Sequence, residues 1–276
     1  MLNIGPLQFD VPVVMGILNV TPDSFSDGGN FLAGDAALRQ AESMAAAGAS
    51  IIDVGGESTR PGSDDISEQQ ELDRVVPVIE ALVGSVEAAV SIDTSKPGVM
   101  HAAIAAGAGM INDIRALRED GALQAAAELQ VPVCLMHMQG QPGTMQESPH
   151  YDNVVVEVRD FLAERISVCR DAGLSEELLI VDPGFGFGKT RQHNIELLAN
   201  LRQLAQLGRP ILAGLSRKAT LGELTGRDVG DRMPASVAAA VIAATRGADI
   251  VRVHDVRETV DAMRLTAAVI ESDGRL

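Results

Sequence analysis

Short apolar segments recur eight times along the chain, and the segments between them place apolar residues at steps of three and four. The apolar segments cover residues 11–20, 50–54, 89–92, 110–111, 131–136, 178–181, 210–213 and 250–253. Runs of this kind, bounded by Gly, Pro, Asp and Asn, predict buried β-strands. The helical spacing predicts helices at residues 35–47, 67–83, 97–106, 121–129, 153–172, 192–204, 233–246 and 256–270.

The alternation of eight strands with helices predicts an α/β fold, a (β/α)8 TIM barrel that spans residues 1–276 as a single domain. Ser67 is the expected N-cap of the second helix, and Pro97 suits the first turn of the third. An open doubly wound sheet is the main alternative. It would carry a glycine-rich dinucleotide motif after the first strand, and TPDSFSDGGN at residues 21–30 is not such a motif.

Polar side chains concentrate directly after the predicted strands. In a barrel these positions meet at the C-terminal ends of the strands, where active sites of this architecture lie. The polar residues are Asn19, Thr59, Arg60, Asp93, Asn112, His137, Asp182, Ser216, Lys218, Arg252 and His254. The sequence therefore predicts one site at the mouth of the barrel.

The most distinctive of these strand ends is LLIVDPGFGFGKT at residues 178–190, where an apolar run meets Asp182 and a glycine-rich turn. The phosphate-loop pattern GxxxxGKS/T fails, because Pro183 stands where its first glycine belongs. The dinucleotide pattern GxGxxG fails as well, because Lys189 stands where a third glycine is needed. We interpret the stretch as a buried strand that delivers a carboxylate, followed by a mobile loop.

Two carboxylates and one amide, Asp93, Asp182 and Asn112, reach the mouth from apolar strands. A half-buried carboxylate must be paired, and a ligand with two parallel N–H donors would pair it well. The alternative is that each Asp caps the helix that follows, since Asp93 stands four residues before Pro97. Three such residues around one mouth favour ligand binding.

Four cations, Arg60, Lys218, Arg252 and His254, stand out in an acidic chain and predict capture of a phosphate or diphosphate, assisted by Asn19 and Thr59. The alternative is that they are solvated loop charges paired with Asp and Glu. Arg252 and His254 argue against this alternative, because they alternate in IVRVHD and alternate residues of a strand share a face.

Four further residues near strand ends could contact a ligand. His137 could bind a metal, but an isolated histidine is more often a hydrogen-bonded structural residue. Met136 could lie against a flat heteroaromatic ring or belong to the core. Phe185 and Phe187 lie among glycines where both cannot be buried, so we expect one of them at the pocket lip, where it could stack on an aromatic ligand.

Composition excludes several classes of protein. The net charge of -16 disfavours nucleic acid and anionic membranes as partners. We find no apolar run long enough for a membrane span and no signal-like N-terminus, so we expect a soluble, cytoplasmic protein. Cys134 and Cys169 lack CxxC spacing and are expected to be buried free thiols.

Eight motifs in a fixed order resemble those of the bacterial dihydropteroate synthase family of pterin-binding barrels, over residues 13–263. They are MGILNVTPDSFSDGG, DVGGESTRPG, SIDTSKP, INDIRAL, CLMHMQGQPGTMQ, DPGFGFGKT, GLSRKATLG and IVRVHDVRET. The resemblance implies a barrel enzyme, usually a homodimer, that uses Mg²⁺. It also implies condensation of 4-aminobenzoate with 6-hydroxymethyl-7,8-dihydropterin diphosphate, which yields dihydropteroate and pyrophosphate.

The resemblance also implies roles for individual residues. The implied pterin pocket consists of Asp93, Asn112, Met136, Asp182, Lys218 and Arg252. The implied diphosphate and Mg²⁺ region consists of Asn19, Thr59, Arg60, Arg252 and His254, with Asn19 as the metal ligand. The implied aminobenzoate region, where sulfonamides bind in this family, consists of Thr59, Arg60, Pro61, Phe187, Ser216 and Lys218.

Catalysis is expected to involve Asp93, Lys218, Arg252 and His254. The segment at residues 231–240 departs from the Ser-Gly-Ser form of close relatives, which raises a question about packing or the dimer surface rather than chemistry. A methyl-transfer barrel that binds a folate, and a pterin-binding protein without catalysis, are the alternative functions. The first would have no need of Arg60, Ser216 and the cations of IVRVHD, and the second should lack the loop residues that this chain retains.

Overall fold

The computed structural model describes residues 2–4, 7–21, 30–58, 65–141 and 143–272. Ten β-strands lie in these ranges: β1 Leu2–Ile4, β2 Leu7–Phe9, β3 Val13–Asn19, β4 Ile51–Gly55, β5 Ala89–Asp93, β6 Met110–Asp113, β7 Val133–Met136, β8 Leu179–Asp182, β9 Leu212–Ala213 and β10 Ile250–Val253. The eight predicted strands correspond to β3–β10.

Nine α-helices lie in the same ranges: α1 Asn30–Ala46, α2 Glu68–Leu82, α3 Pro97–Ala105, α4 Ala122–Leu129, α5 Val154–Asp171, α6 Arg191–Ala199, α7 Ala219–Thr225, α8 Met233–Thr245 and α9 Val256–Ser272. Ser67 caps α2 in a reciprocal capping box with Gln70, and Pro97 stands in the first turn of α3, so both predictions are confirmed. Within the described ranges, no helix is long and apolar enough to cross a membrane.

The eight strands β3–β10 form one parallel sheet in the order β8-β7-β6-β5-β4-β3-β10-β9. A parallel bridge between Val181 and Ile211 joins its two ends, and the Val181 N–H donates to the carbonyl oxygen of Pro210 at 2.9 Å. The sheet is therefore closed, and the predicted (β/α)8 TIM barrel is confirmed.

The barrel interior and the surrounding helix layer are separate apolar clusters. Interior side chains from every second strand position pack together: Val13, Met15, Ile51, Met110, Cys134, Ile180, Leu212 and Ile250. Leu2 joins this cluster from the antiparallel hairpin β1–β2, so the hairpin covers the N-terminal end of the barrel. The hairpin was not predicted, because three-residue strands show too little alternation.

Strand register brings polar residues into one row at the other end of the barrel. Asn19 pairs with Gly55, Gly55 with Asp93, and Asp93 with Asn112 across four neighbouring strands. Residues paired across parallel strands lie side by side on neighbouring strands. The row therefore forms part of the rim that the sequence predicted.

Candidate active site

A gap in the row of side chains lies above Gly55. A methyl group at Gly55 would lie 3.6 Å from Asn19 Oδ1 and 3.6 Å from Asp93 Cβ. Because glycine leaves this space open, Asn19 and Asp93 border the same point of the mouth. A small polar group of a ligand could reach both side chains there.

Arg252 lies inside the mouth between two carboxylates. Its Nε donates to Asp53 Oδ2 at 2.6 Å, and its Nη2 donates to Asp93 Oδ2 at 2.7 Å. Asn112 Nδ2 donates to the same Asp53 oxygen at 2.9 Å. The side chain of Asp53 is fully buried, and its Oδ1 has no hydrogen-bond partner in the described part of the chain.

The charges of this network shift the pKa values of its members. Burial raises the pKa of Asp93 to about 7, although Arg252 pulls it downward. Burial works against the charge of Arg252, but Asp53 and Asp93 together hold the pKa of its guanidinium above the usual range. Arg252 therefore stays a cation, while Asp93 gains or loses a proton near neutral pH.

Neither predicted Asp caps a helix, so the capping alternative is wrong. The residue at the cap of α3 is Lys96, and α6 is capped by Thr190. Asp182 Oδ1 instead accepts the Gly184 N–H at 2.7 Å. Burial raises the pKa of Asp182, while Lys218 lowers it. Asp182 is thus a buried carboxylate next to an ammonium group.

Lys218 lies beside the glycine-rich turn that follows Asp182. Its ammonium group donates to the carbonyl oxygen of Phe185 and lies 4.5 Å from the centre of the Phe187 ring. Burial lowers the pKa of Lys218 to about 8, opposed by the charge of Asp182. Phe185 is 1% exposed, whereas Phe187 is only partly buried, as expected for one residue at the lip.

Ser216 and His254 come together at the ends of β9 and β10. Ser216 Oγ lies 3.0 Å from His254 Nδ1 and accepts the His254 N–H at 3.1 Å. Between Ser216 and Lys218, the Arg217 N–H donates to Ser236 Oγ at 2.9 Å. Because Ser236 lies in the divergent segment 231–240, that segment supports the loop that carries Ser216 and Lys218.

Met136 and His137 are both buried at the end of β7. Met136 is 3% exposed and packs with Ile114, Met138 and Met145, while Phe187 covers the cluster. His137 Nδ1 lies 2.9 Å from the Lys189 ammonium group, and burial lowers the pKa of His137 to about 2. Among the residues that the structure describes, no three His, Cys, Asp or Glu side chains are placed to hold a metal.

Several predicted residues lie outside the described ranges: Thr59, Arg60 and Pro61, and most of the loop TPDSFSDGG. Two important residues were not predicted. Asp53 has a sequence signal, since it is a lone carboxylate within the apolar strand IIDVG. The sequence gives no signal that Lys189 is buried, because a lysine after a glycine-rich turn is usually solvated.

The fold and the geometry define a barrel enzyme whose mouth presents buried carboxylates, an amide and paired cations. Residues 15–254 match the model of the family described as "Pterin binding enzyme". The chain is 53% identical over 266 residues to a dihydropteroate synthase of Escherichia coli strain K12. The aligned region covers 96% of this chain and 94% of that protein. The chain therefore belongs to the pterin-binding enzyme family, and within it to the dihydropteroate synthases.

Two solved structures from Xanthomonas albilineans are similar throughout. The dihydropteroate synthase with 4-aminobenzoic acid gives a TM-score of 0.90 at 55% identity, covering 94% of this chain and 93% of that chain. The same enzyme in complex with 7,8-dihydropteroate gives a TM-score of 0.87 at 52% identity, covering 95% of both chains. Both similarities therefore extend over nearly the whole chain.

Proposed function

We propose that this protein condenses 4-aminobenzoate with 6-hydroxymethyl-7,8-dihydropterin diphosphate and releases dihydropteroate and pyrophosphate. One observation carries the proposal: Asp182, Asn112 and the Arg252–Asp93 pair meet at one barrel mouth beside Lys218. That combination suits a flat ring with N–H donors together with an anionic leaving group. The named relatives support the same reaction.

The pterin ring would bind in the half of the mouth that contains Asp182. The ring presents an N–H and an amino group side by side, and a carboxylate can accept both. Asp182 suits this role because its Oδ1 is already oriented by the Gly184 N–H, and it is 6% exposed. Asn112 and Met136 would border the ring, since both are buried at neighbouring strand ends.

Loss of the diphosphate leaves positive charge on the methylene carbon of the pterin, so the site must stabilise charge of both signs. Asp93 supplies negative charge when deprotonated, at pH values above about 7. Arg252 has five N–H donors, and the two ion pairs use two of them, so others remain for the leaving group. His254 borders the same region through Ser216.

The donor set at Asn19 suits Mg²⁺ only if the metal is shared with the substrate. Mg²⁺ in proteins is usually held by one or two side chains, with phosphate oxygens and water completing its shell. Asn19 Oδ1 provides one such oxygen beside Asp93. Bound there, Mg²⁺ would neutralise charge on the departing diphosphate.

The arylamine would approach from the side of Phe187, Ser216 and Lys218. The Phe187 ring offers an apolar wall, and Lys218 offers a cation for the carboxylate. The family resemblance adds Thr59, Arg60 and Pro61 to this side. No covalent intermediate with the enzyme is needed, because the amine attacks the methylene carbon directly.

The pH dependence of kcat/KM tests the role of Lys218. Because its pKa is about 8, its positive charge is lost as the pH rises through that value. We expect kcat/KM for 4-aminobenzoate to fall above about pH 8 by about tenfold per pH unit, as one essential proton requires. In Lys218→Arg the decline should disappear from the measured profile while the maximum is lower. A wild-type profile that stays level to pH 9.5 would show that the reaction does not depend on the charge of Lys218.

Product analysis decides between this function and its alternatives. Purified protein is incubated with both substrates and Mg²⁺, and dihydropteroate is measured by mass spectrometry. A methyl-transfer barrel would bind pterin but leave the diphosphate intact, and a non-catalytic protein would bind without any product. Dihydropteroate above the level without protein supports the proposal, and its absence with intact pterin binding contradicts it.

We also propose that the enzyme acts as a homodimer in the cytoplasm. Ile242, Leu265 and Val269, on helices α8 and α9 that pack together, are 42%, 69% and 54% exposed. Apolar side chains this exposed favour burial between subunits. Light scattering would show twice the 28.9 kDa chain mass if the proposal holds.

A further inference from the structure

The turn at residues 184–188 has an unusual pattern of hydrogen bonds. All five of its carbonyl oxygens accept a hydrogen bond from a side chain. Lys189 donates to Gly184 and Phe187 at 3.0 Å each, and Lys218 donates to Phe185. Gln146 donates to Gly186 at 2.5 Å, and Tyr151 donates to Gly188 at 2.8 Å. The turn is thus tied to its surroundings, and the open, mobile loop expected from its glycines is not what the structure shows.

Three of the five N–H groups of the turn also donate to acceptors within the protein. Gly184 donates to Asp182, Gly186 donates to Asn194 Oδ1 at 2.7 Å, and Phe187 donates to the Gly184 carbonyl oxygen at 3.1 Å. A phosphate cradle needs such N–H groups to be available for the ligand. The structure therefore agrees with the sequence in excluding a phosphate loop here.

Glycine is required at two positions of the turn, because the turn lies against the segment that follows β7. A Cβ atom on Gly184 would lie 1.9 Å from the His137 carbonyl oxygen, and one on Gly188 would lie 2.3 Å from that of Gln139. Both residues also have positive φ, at 67° and 59°. This close approach brings His137 to the ammonium group of Lys189.

Lys189 is the central residue of this arrangement. It is 2% exposed, and its ammonium group contacts His137 Nδ1 at 2.9 Å as well as the two turn carbonyls. Burial shifts the pKa of Lys189 well below its usual value, while Asp182 opposes this shift. A lysine so buried needs its N–H donors satisfied, and four acceptors surround its Nζ, the fourth being the His137 carbonyl oxygen at 3.4 Å.

We propose that Lys189 is a positioning residue for the arylamine half of the reaction. It fixes the carbonyls on both sides of Phe185, and so sets where the Phe187 ring and the Lys218 ammonium group lie. These two groups form the wall and the cation of the aminobenzoate side described above. The proposal rests on the proposed function, and it adds a residue that touches neither substrate.

The test compares wild type with Lys189→Met, which keeps an unbranched apolar side chain one atom shorter than lysine and removes its donors. We expect the KM for 4-aminobenzoate to rise and kcat to fall, with kcat/KM lower by about tenfold to 100-fold, the range that small displacements of binding groups produce. The Kd of 6-hydroxymethylpterin, measured by calorimetry, should change less than about threefold, because Asp182 and Asn112 remain. Lys189→Gln retains two N–H donors, so its kcat/KM should lie between the values of wild type and Lys189→Met.

A matched control separates positioning from general stability. Thr266→Val removes another side-chain hydrogen bond, on helix α9. There the buried Thr266 donates from its Oγ1 to the Ala262 carbonyl oxygen at 2.8 Å. It should lower the thermal midpoint with unchanged KM. Three results would overturn the proposal: unchanged kinetics in folded Lys189→Met, equal losses for both ligands, or failure of both Lys189 variants to fold. The wild-type assay run alongside tests the proposed function itself, so the two failures are distinguishable.

Discussion

Replacing Asp182 with asparagine should weaken pterin binding by roughly 100-fold, which corresponds to about 3 kcal/mol. The carboxylate offers two acceptor oxygens, and Asn would present an amide donor to the donors of the ring. One oxygen is retained in the variant, so the contact with the Gly184 N–H at 2.7 Å can persist and the turn can keep its shape. Calorimetric titration with 6-hydroxymethylpterin measures the loss.

A control for this prediction exists at the opposite end of the barrel. Asp249 is a partly buried carboxylate whose pKa is raised by burial, and its Oδ2 accepts the Ile211 N–H at 2.8 Å. Asp249→Asn should leave pterin affinity unchanged in folded protein. If Asp182→Asn binds pterin with near-normal affinity, then Asp182 does not anchor the ring.

Arg252→Ala should have the second large effect, on both stability and substrate binding. Its removal leaves Asp53 and Asp93 without a counter-charge, and breaking a buried pair in this way costs about 3–5 kcal/mol. Denaturant unfolding at pH 7.5 would measure the loss. Affinity for the diphosphate-bearing substrate should fall far more than affinity for free pterin, since only the former carries the anion.

The double variant Arg252→Ala/Asp53→Asn separates these two effects. Neutralising the fully buried Asp53 removes one unpaired charge, so part of the stability should return, while diphosphate affinity should not. Equal losses of affinity for free pterin and for the diphosphate substrate would remove Arg252 from the diphosphate site. No recovery of stability in the double variant would show that the Asp53 ion pair is not what stabilises the barrel.

The fold followed from the sequence because the barrel depends on local patterns. Each parallel strand is buried on both sides and therefore appears as a continuous apolar run, and each helix repeats every three to four residues. Elements with weak local patterns were missed. The seven-residue helix α7 is too short to show its period, and the segment Leu201–Leu207 is a 3₁₀ helix where the sequence predicted continuation of α6.

Part of the site was predictable: the strand-end residues Asn19, Asp93, Asn112, Asp182 and Arg252 lie at the mouth, but Asp53, Lys189 and the pairings were not predicted. Which side chains reach the mouth follows from strand ends, because register places them there. Which of them pair with each other depends on contacts between distant strands, as between Arg252 and Asp53, separated by 199 residues in sequence. Lys189 shows the same limit, because its burial arises only when the turn meets the segment after β7.

Pyrophosphate release tests the central claim most directly, namely that this barrel mouth joins an arylamine to an activated pterin. Purified protein with Mg²⁺ and dihydropterin diphosphate is assayed with and without 4-aminobenzoate. We predict release that depends on both substrates and matches the dihydropteroate formed, mole for mole. Release no greater than the background without protein, while pterin still binds, would contradict the claim.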